Sequence, residues 1–264
     1  MYKLNSKLFP KKDKVYIKMK TLNDKYWNLE FFDRSNADIN FVENEKELIK
    51  IGKEIFNNFN IQNINYFLDI CAAPGIYSTI ILKKFNNSTG LGISLPIDQG
   101  GVPFKINNKR YQIIYKNILN LTNFKIKNKI DFGIASCVSY KYNVQAAYFL
   151  NLQLIVQSLI LLLQNLNTNG HIIINLTMKN INFAFNIIHL LNTMFKNFKL
   201  WKSQTIWTTK KTFYYFGYYF KNNFNLKIFE DLKKRIENNK DIINYQFIGS
   251  LDSYNKINKQ MQNI

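Results

Sequence analysis

Residues 66–78 read YFLDICAAPGIYS, and they differ in kind from the Asn-, Lys-, Ile- and Phe-rich sequence around them. An apolar run reaches the acid Asp69 and ends at Ile70. Cys71, Ala72 and Ala73 are small, Pro74 fixes a turn, and Gly75 opens backbone conformations closed to other residues. Ser78 and Thr79 then enter a helix, whose N-terminal amides can hold an acceptor. Small residues in a row let a backbone lie close to a ligand. With a single glycine the loop is not a GxGxxG dinucleotide fingerprint, and it lacks the Gly-Lys-Ser/Thr of a P-loop.

Outward from this stretch, strand and helix patterns alternate. Upstream, NEKELIKIGKEIFNN (44–58) sets Leu48, Ile49, Ile51, Ile55 and Phe56 on one helical face, and IQNINYFLDI (61–70) reads as the first strand. Downstream, STIILKKF (78–85) reads as a helix. TGLGISL (89–95), RYQIIYKNI (110–118) and KIDFGIASCV (129–138) read as strands two to four. The apolar run FLNLQLIVQSLILLLQ (149–164) is interrupted by Asn151, Gln153, Gln157, Ser158 and Gln164, so it reads as a buried helix and not a membrane span. GHIIINLTM (170–178) is a fifth strand and NFAFNIIHLLNTMF (182–195) a further helix. FKLWKSQTIW (198–207) and KTFYYFGYYFK (211–221) are two aromatic strands able to pair antiparallel. The spacing predicts an α/β fold: a mostly parallel sheet with an antiparallel edge hairpin and helices on both faces. Three parts follow: a basic N-terminal arm over 1–42, a main domain over 43–221 and a charged helical tail over 222–264. Ligands of such sheets bind beyond the carboxyl ends of the strands, where strand order reverses, which makes the first strand and its loop the expected site.

The chain has 264 residues, 47% of them hydrophobic, enough for one sizeable core and too many for a disordered protein. Lys and Arg number 36 against 17 acids, a net charge of +19, which points to a nucleic-acid partner. Only Arg34, Arg110 and Arg235 are arginines. Asn, Lys, Ile, Phe and Tyr are residues of A- and T-rich codons, so a biased genome inflates the lysines, but it does not explain the scarcity of acids. Cys71 and Cys137 lie far apart without metal-ligand spacing, which reads as no disulfide, no metal and a reducing intracellular compartment. MYKLNSKLFPKKDKVYIKMK (1–20) has no apolar core and is not a secretory signal.

LDICAAPGIYS (68–78) resembles the cofactor loop of the FtsJ-like RNA ribose methyltransferases: an acid, then Gly or Cys, Ala-Ala-Pro-Gly, and an aromatic-Ser pair. GLGISLP followed by DQGG is similar to the second-strand motif of some members. The resemblance implies a Rossmann-like methyltransferase fold, S-adenosylmethionine as cofactor, and transfer of a methyl group to a ribose 2′-hydroxyl of RNA. It implies that Asp69, Cys71, Ala72, Ala73, Pro74 and Gly75 cradle the methionine portion. Ser94, with Asp98 as a substitute, stands where the family holds the cofactor ribose with an acid, and Asn117 where it reads the adenine amino group.

The family's chemistry rests on a Lys-Asp-Lys-Glu tetrad, in which a Lys of depressed pKa meets the hydroxyl proton. Lys50 matches the first Lys, 19 residues ahead of Asp69. Ser136, Asn175 and Thr212 occupy the other three positions, and these side chains form hydrogen bonds without being proton acceptors near neutral pH. Lys179 would need a shifted loop to substitute for Asn175. Two readings stay open: a methyltransferase with an atypical site, and a catalytically inert methyltransferase-fold subunit that binds RNA or a partner enzyme. The Asn/Asp-Pro-Pro-aromatic motif of base-nitrogen methylation is absent at ASCVSY (135–140). Lysines in FPKKDKVYIKMK (9–20), KINNKR (105–110) and FKIKNK (124–129), with Tyr16 and Phe104 beside them, are candidate RNA contacts. FYYFGYYF (213–220) reads as an edge strand needing a cover, from the tail or a protein partner.

Overall fold

The computed structural model describes residues 41–137, 144–177, 181–206, 212–238 and 251–261; the basic arm up to residue 40, with Tyr16, and Lys179 lie outside them. In chain order the elements are α1 (Phe41–Asn58), β1 (Tyr66–Ile70), α2 (Ile76–Lys84), β2 (Thr89–Ser94), β3 (Tyr111–Tyr115), β4 (Ile130–Ala135), α3 (Val144–Asn165), β5 (Leu166–Thr177), α4 (Ile181–Met194), β6 (Phe195–Trp201), β7 (Thr212–Phe220), α5 (Leu226–Glu237) and α6 (Leu251–Met261). The seven strands form one sheet in the order β3-β2-β1-β4-β5-β7-β6. β1 to β5 run parallel, while β7 is antiparallel to both β5 and β6. The strand order reverses between β1 and β4, so the crevice beyond their carboxyl ends is the ligand position of such a sheet.

Two apolar layers hold the sheet. On one face Ile51, Ile55 and Phe56 of α1, Phe59 just beyond its end and Ile81 of α2 pack on Phe67, Phe132, Ile173 and Phe216. Ile49, expected on that inward face, is 37% exposed, so the buried stripe of α1 is narrower than its sequence pattern. The opposite face is covered by α3 and α4, with Phe229, Leu232 and Ile236 of α5 and Ile257 and Met261 of α6 joined to the same cluster. The apolar helix read from residues 149–164 is α3, with Leu152, Leu159, Leu161 and Leu162 fully buried. No helix among the described residues is long and apolar enough to cross a membrane.

Two expectations are corrected. The aromatic strand β7 is not an edge: it lies between β5 and β6, and Phe213, Tyr215, Phe216 and Phe220 are fully buried. Its run is apolar on both sides because helices cover both faces of the sheet there. The edge is β6, and α6 closes part of it: the Gln260 amide accepts from Leu200 N (2.7 Å) and donates to Phe198 O (3.1 Å), standing in for a neighbouring strand. The cysteines, expected apart, form a disulfide with a Cα–Cα distance of 5.1 Å. Their separation of 66 residues hid this, because the pairing of β1 with β4 brings the strand ends together.

Arg110, just before β3, ties this strand to α2. Its guanidinium donates to Leu82 O (2.8 Å), Phe85 O (3.2 Å), Asn86 O (2.7 Å) and Ser88 O (2.9 Å), at the helix C-terminus where a cation opposes the dipole. Arg110→Ala is expected to cost about 2 kcal/mol in urea unfolding, and Arg110→Lys to recover only part, since one ammonium cannot span the same carbonyls. An unchanged unfolding midpoint in Arg110→Ala would show the cap to be inert.

Candidate active site

The loop after β1 is shaped from outside and from beneath. Cys71 takes a left-handed conformation (φ 61°), and Ala72 N donates to Ile93 O of β2 (3.1 Å). Gly75 is left-handed as well (φ 102°), and a Cβ there would meet Ile106 and Phe104 side chains at 2.7–2.9 Å, so glycine is demanded twice over. Phe104 and Ile106 belong to an extended strap, residues 102–108, that lies where β2 returns to β3. Lys105 N donates to Pro74 O (3.1 Å), and Lys105 Nζ reaches Glu45 Oε2 of α1 (2.6 Å), fastening the strap to the loop and to the helix that carries Lys50.

Beneath the loop lies a buried polar chain. Asp69 is 1% exposed, and Ser78 Oγ of α2 donates to its Oδ2 at 2.6 Å. Ser78 Oγ is also 2.9 Å from the Tyr111 hydroxyl, and the Tyr111 ring stacks on Phe104 (centroids 5.3 Å, 3° between planes). A Cβ at residue 92 would collide with that hydroxyl, which explains a glycine in the middle of β2. Burial pushes the Asp69 carboxyl up to about 7, opposed in part by its bonds from Ser78. Burial, with the Asp69 charge second, also raises the Tyr111 hydroxyl, which stays protonated. Asp69 therefore supports the loop from below.

The remaining cofactor positions differ in availability. Ser94 closes β2 but is only 5% exposed, and its carbonyl accepts from Lys116 N (2.8 Å). Asp98 is exposed on the single turn Ile97–Gln99 beyond β2. Asn117 Oδ1 accepts from Leu119 N (3.0 Å), leaving one lone pair and the amide NH2 for another partner. Small side chains at 71–73, an exposed carboxylate at Asp98 and a part-satisfied amide at Asn117 fit the methionine, ribose and adenine parts of S-adenosylmethionine. A separate cleft of about 320 Å³, lined by residues 61–65 and 84–87, opens at the opposite end of the sheet, where β1 and β2 begin, and is not part of this site.

Of the four tetrad positions, two touch. Asn175 Nδ2 of β5 donates to Ser136 Oγ, just beyond β4, at 3.4 Å. Thr212 opens β7 opposite Thr177, on the same sheet face as Asn175 and one pleat repeat away. Lys50 is exposed on α1 and makes no hydrogen bond or ion pair with any described residue. Glu54, one turn further, accepts from the Thr205 hydroxyl (2.5 Å). Two residues escaped the sequence reading. Tyr214 faces Asn175 across the β5–β7 pair, and its hydroxyl is 3.3 Å from that of Tyr77, which follows the loop. Burial raises the Tyr214 hydroxyl well above its ordinary value, so it is a hydrogen-bonding group and not a base. The aromatic-Ser pair Tyr77-Ser78 was the available signal; the position of Tyr214 needed the strand register.

The strand order, the reversed β7 and the loop at the switch point define a Rossmann-like methyltransferase fold. The chain belongs to the FtsJ-like methyltransferase family, whose profile matches residues 50–220. It is similar to the crystal structure of a Plasmodium falciparum protein assigned as a ribosomal RNA methyltransferase, at 18% identity and a TM-score of 0.50, covering 66% of this chain and 96% of that one. An O-methyltransferase family protein from Burkholderia thailandensis is similar at 10% identity and a TM-score of 0.43, covering 82% of this chain and 76% of that one. Human N-acetylserotonin methyltransferase, solved in complex with SAM, is similar at 10% identity and a TM-score of 0.43, covering 64% and 51%. No curated protein sequence matches the chain.

Asp69 holds its proton more tightly in the folded protein than unfolded, where its value is near 3.8. The native state thus carries the extra proton between about pH 4 and 7, and this group's contribution to stability falls as pH rises through that window. Asp69→Asn removes the slope while leaving an acceptor for Ser78. Its melting temperature is expected to gain on the parent's steadily from pH 4 to 7; a difference constant with pH would count against the raised carboxyl.

Proposed function

We propose that the protein binds S-adenosylmethionine at the 71–75 loop, binds RNA, and transfers a methyl group to a ribose 2′-hydroxyl. The observation that carries this reading is the Ala-Ala-Pro-Gly loop held at the switch point of an FtsJ-like domain. The net charge of +19 supports a polyanionic substrate, and the family supports RNA. S-adenosylmethionine supplies an electrophilic methyl group when bound. The chain's part is to bind and orient: Ala72, Ala73, Pro74 and Gly75 against the methionine portion, Asp98 at the ribose and Asn117 at the adenine amino group. Lys50 is the one ionisable group among the four tetrad positions, and Ser136, Asn175 and Thr212 offer hydrogen bonds to the acceptor ribose.

One observation favours a second reading, a methyltransferase-fold subunit that binds RNA or a partner enzyme without turnover. The Asn175–Ser136 bond makes two of the expected tetrad positions a neutral pair, neither member of which takes a proton near neutral pH. Calorimetry with S-adenosylmethionine, followed by transfer of labelled methyl groups to an RNA mixture, separates the two. The active reading expects binding, transfer, and loss of at least about a hundredfold in rate in Lys50→Ala, as for removal of an acid–base group. Binding without transfer, where a related enzyme works, selects the inert subunit. No binding sinks the cofactor assignment in both.

A further inference from the structure

β1 and β4 are neighbours in the sheet, yet the chain continues from β1 outward to β2 and β3 and returns to β4 on the other side. Their carboxyl ends flank the crevice at the switch point. Each end carries a cysteine: Cys71 is the first residue beyond β1, and Cys137 the second beyond β4. Ile70 and Ala135 are register partners, so the two cysteines leave adjacent points of a parallel pair, and a Cα–Cα distance of 5.1 Å is within disulfide range. Both are half-buried, and they are the chain's only cysteines. The bridge joins the two halves of the site. Cys71 belongs to the cofactor loop, while Cys137 follows Ser136, the partner of Asn175, and its sulfur lies 3.3 Å from the Ser158 hydroxyl of α3. Methyl transfer gives Cys137 nothing to do.

We propose that Cys71 and Cys137 form a thiol–disulfide site that gates the cofactor crevice, open as the dithiol and closed as the disulfide. The inference rests on the cofactor reading above. In the oxidised form the bridge lies across the crevice between the ends of β1 and β4, beside the 71–75 loop, and takes up the space a ligand would enter there. The oxidant is a low-molecular-weight disulfide such as oxidised glutathione. One cysteine thiolate attacks it and releases one glutathione thiol; the second cysteine thiolate then displaces the other glutathione from the mixed disulfide. The protein loses two electrons and two protons, and one glutathione disulfide becomes two thiols. A dithiol such as dithiothreitol reverses the exchange.

The test uses the full chain. Samples treated with dithiothreitol or with oxidised glutathione are desalted, their thiols are counted by alkylation and intact mass, and S-adenosylmethionine binding is measured on each by calorimetry. Cys137→Ser, kept from glutathione, is measured with and without reductant. Two alkylated thiols are expected in the reduced protein and none in the oxidised one, with affinity at least about tenfold weaker after oxidation. Cys137→Ser should keep the reduced-state affinity in both buffers. Equal affinities in the oxidised and reduced protein overturn the gate and leave the cofactor reading standing. Binding in no sample, Cys137→Ser included, overturns both. Two free thiols persisting in oxidised glutathione overturn the pairing itself.

Discussion

The carboxylate of Asp69 is buried where β1 ends, and Ser78 of α2 and Tyr111 of β3 close around it. Three elements thereby converge on one polar point beneath the 71–75 loop. Burying an acid is costly, and the raised carboxyl value is the sign of that cost; Ser78 offsets part of it. The space for this arrangement comes from Gly92, because any side chain there would displace the Tyr111 hydroxyl. Tyr111 in turn seats Phe104, and the Phe104–Ile106 strap presses on Gly75 from outside. The loop is held between a polar chain below and an apolar strap above, so its shape is set before any ligand arrives.

The other half of the site is built differently. At the positions where the family resemblance leads one to expect charge, this chain has Ser136, Asn175 and Thr212, with Tyr77 and Tyr214 beside them. Ser136 bonds Asn175, and the two tyrosine hydroxyls bond each other, so the polar groups satisfy one another without ionising. The 71–75 loop and the Ser136–Asn175 cluster are therefore built separately, and the disulfide cross-links the loop to the segment that carries Ser136.

The far edge of the sheet shows how the tail contributes. β6 is the last strand, and an open edge invites pairing with another chain. Gln260 of α6 supplies one donor and one acceptor to its backbone, while Ile257 and Met261 of the same helix enter the main apolar cluster. Phe229, Leu232 and Ile236 anchor α5 in that cluster too. Charge along the tail describes its outer faces and says nothing of these inward residues.

Much of the fold was legible from the residues. Hydrophobic period and the small-residue loop are local properties, so β1 to β4, the buried α3 and the antiparallel pairing of β6 with β7 followed the pattern. Boundaries without punctuation were not: β6 begins at Phe195, the residue after α4 ends, and β5 begins at Leu166, directly after α3, with no Gly or Pro at either joint. By itself the sequence determined the alternation of strands and helices and the small-residue loop after the first strand, because each is written in neighbouring residues. Only the tertiary structure decided that Cys71 meets Cys137, that Asn175 bonds Ser136 from 39 residues away, and that Tyr77 meets Tyr214 from 137 residues away. Those contacts depend on strand order and register, which bring distant segments together and leave no mark on the spacing of residues along the chain.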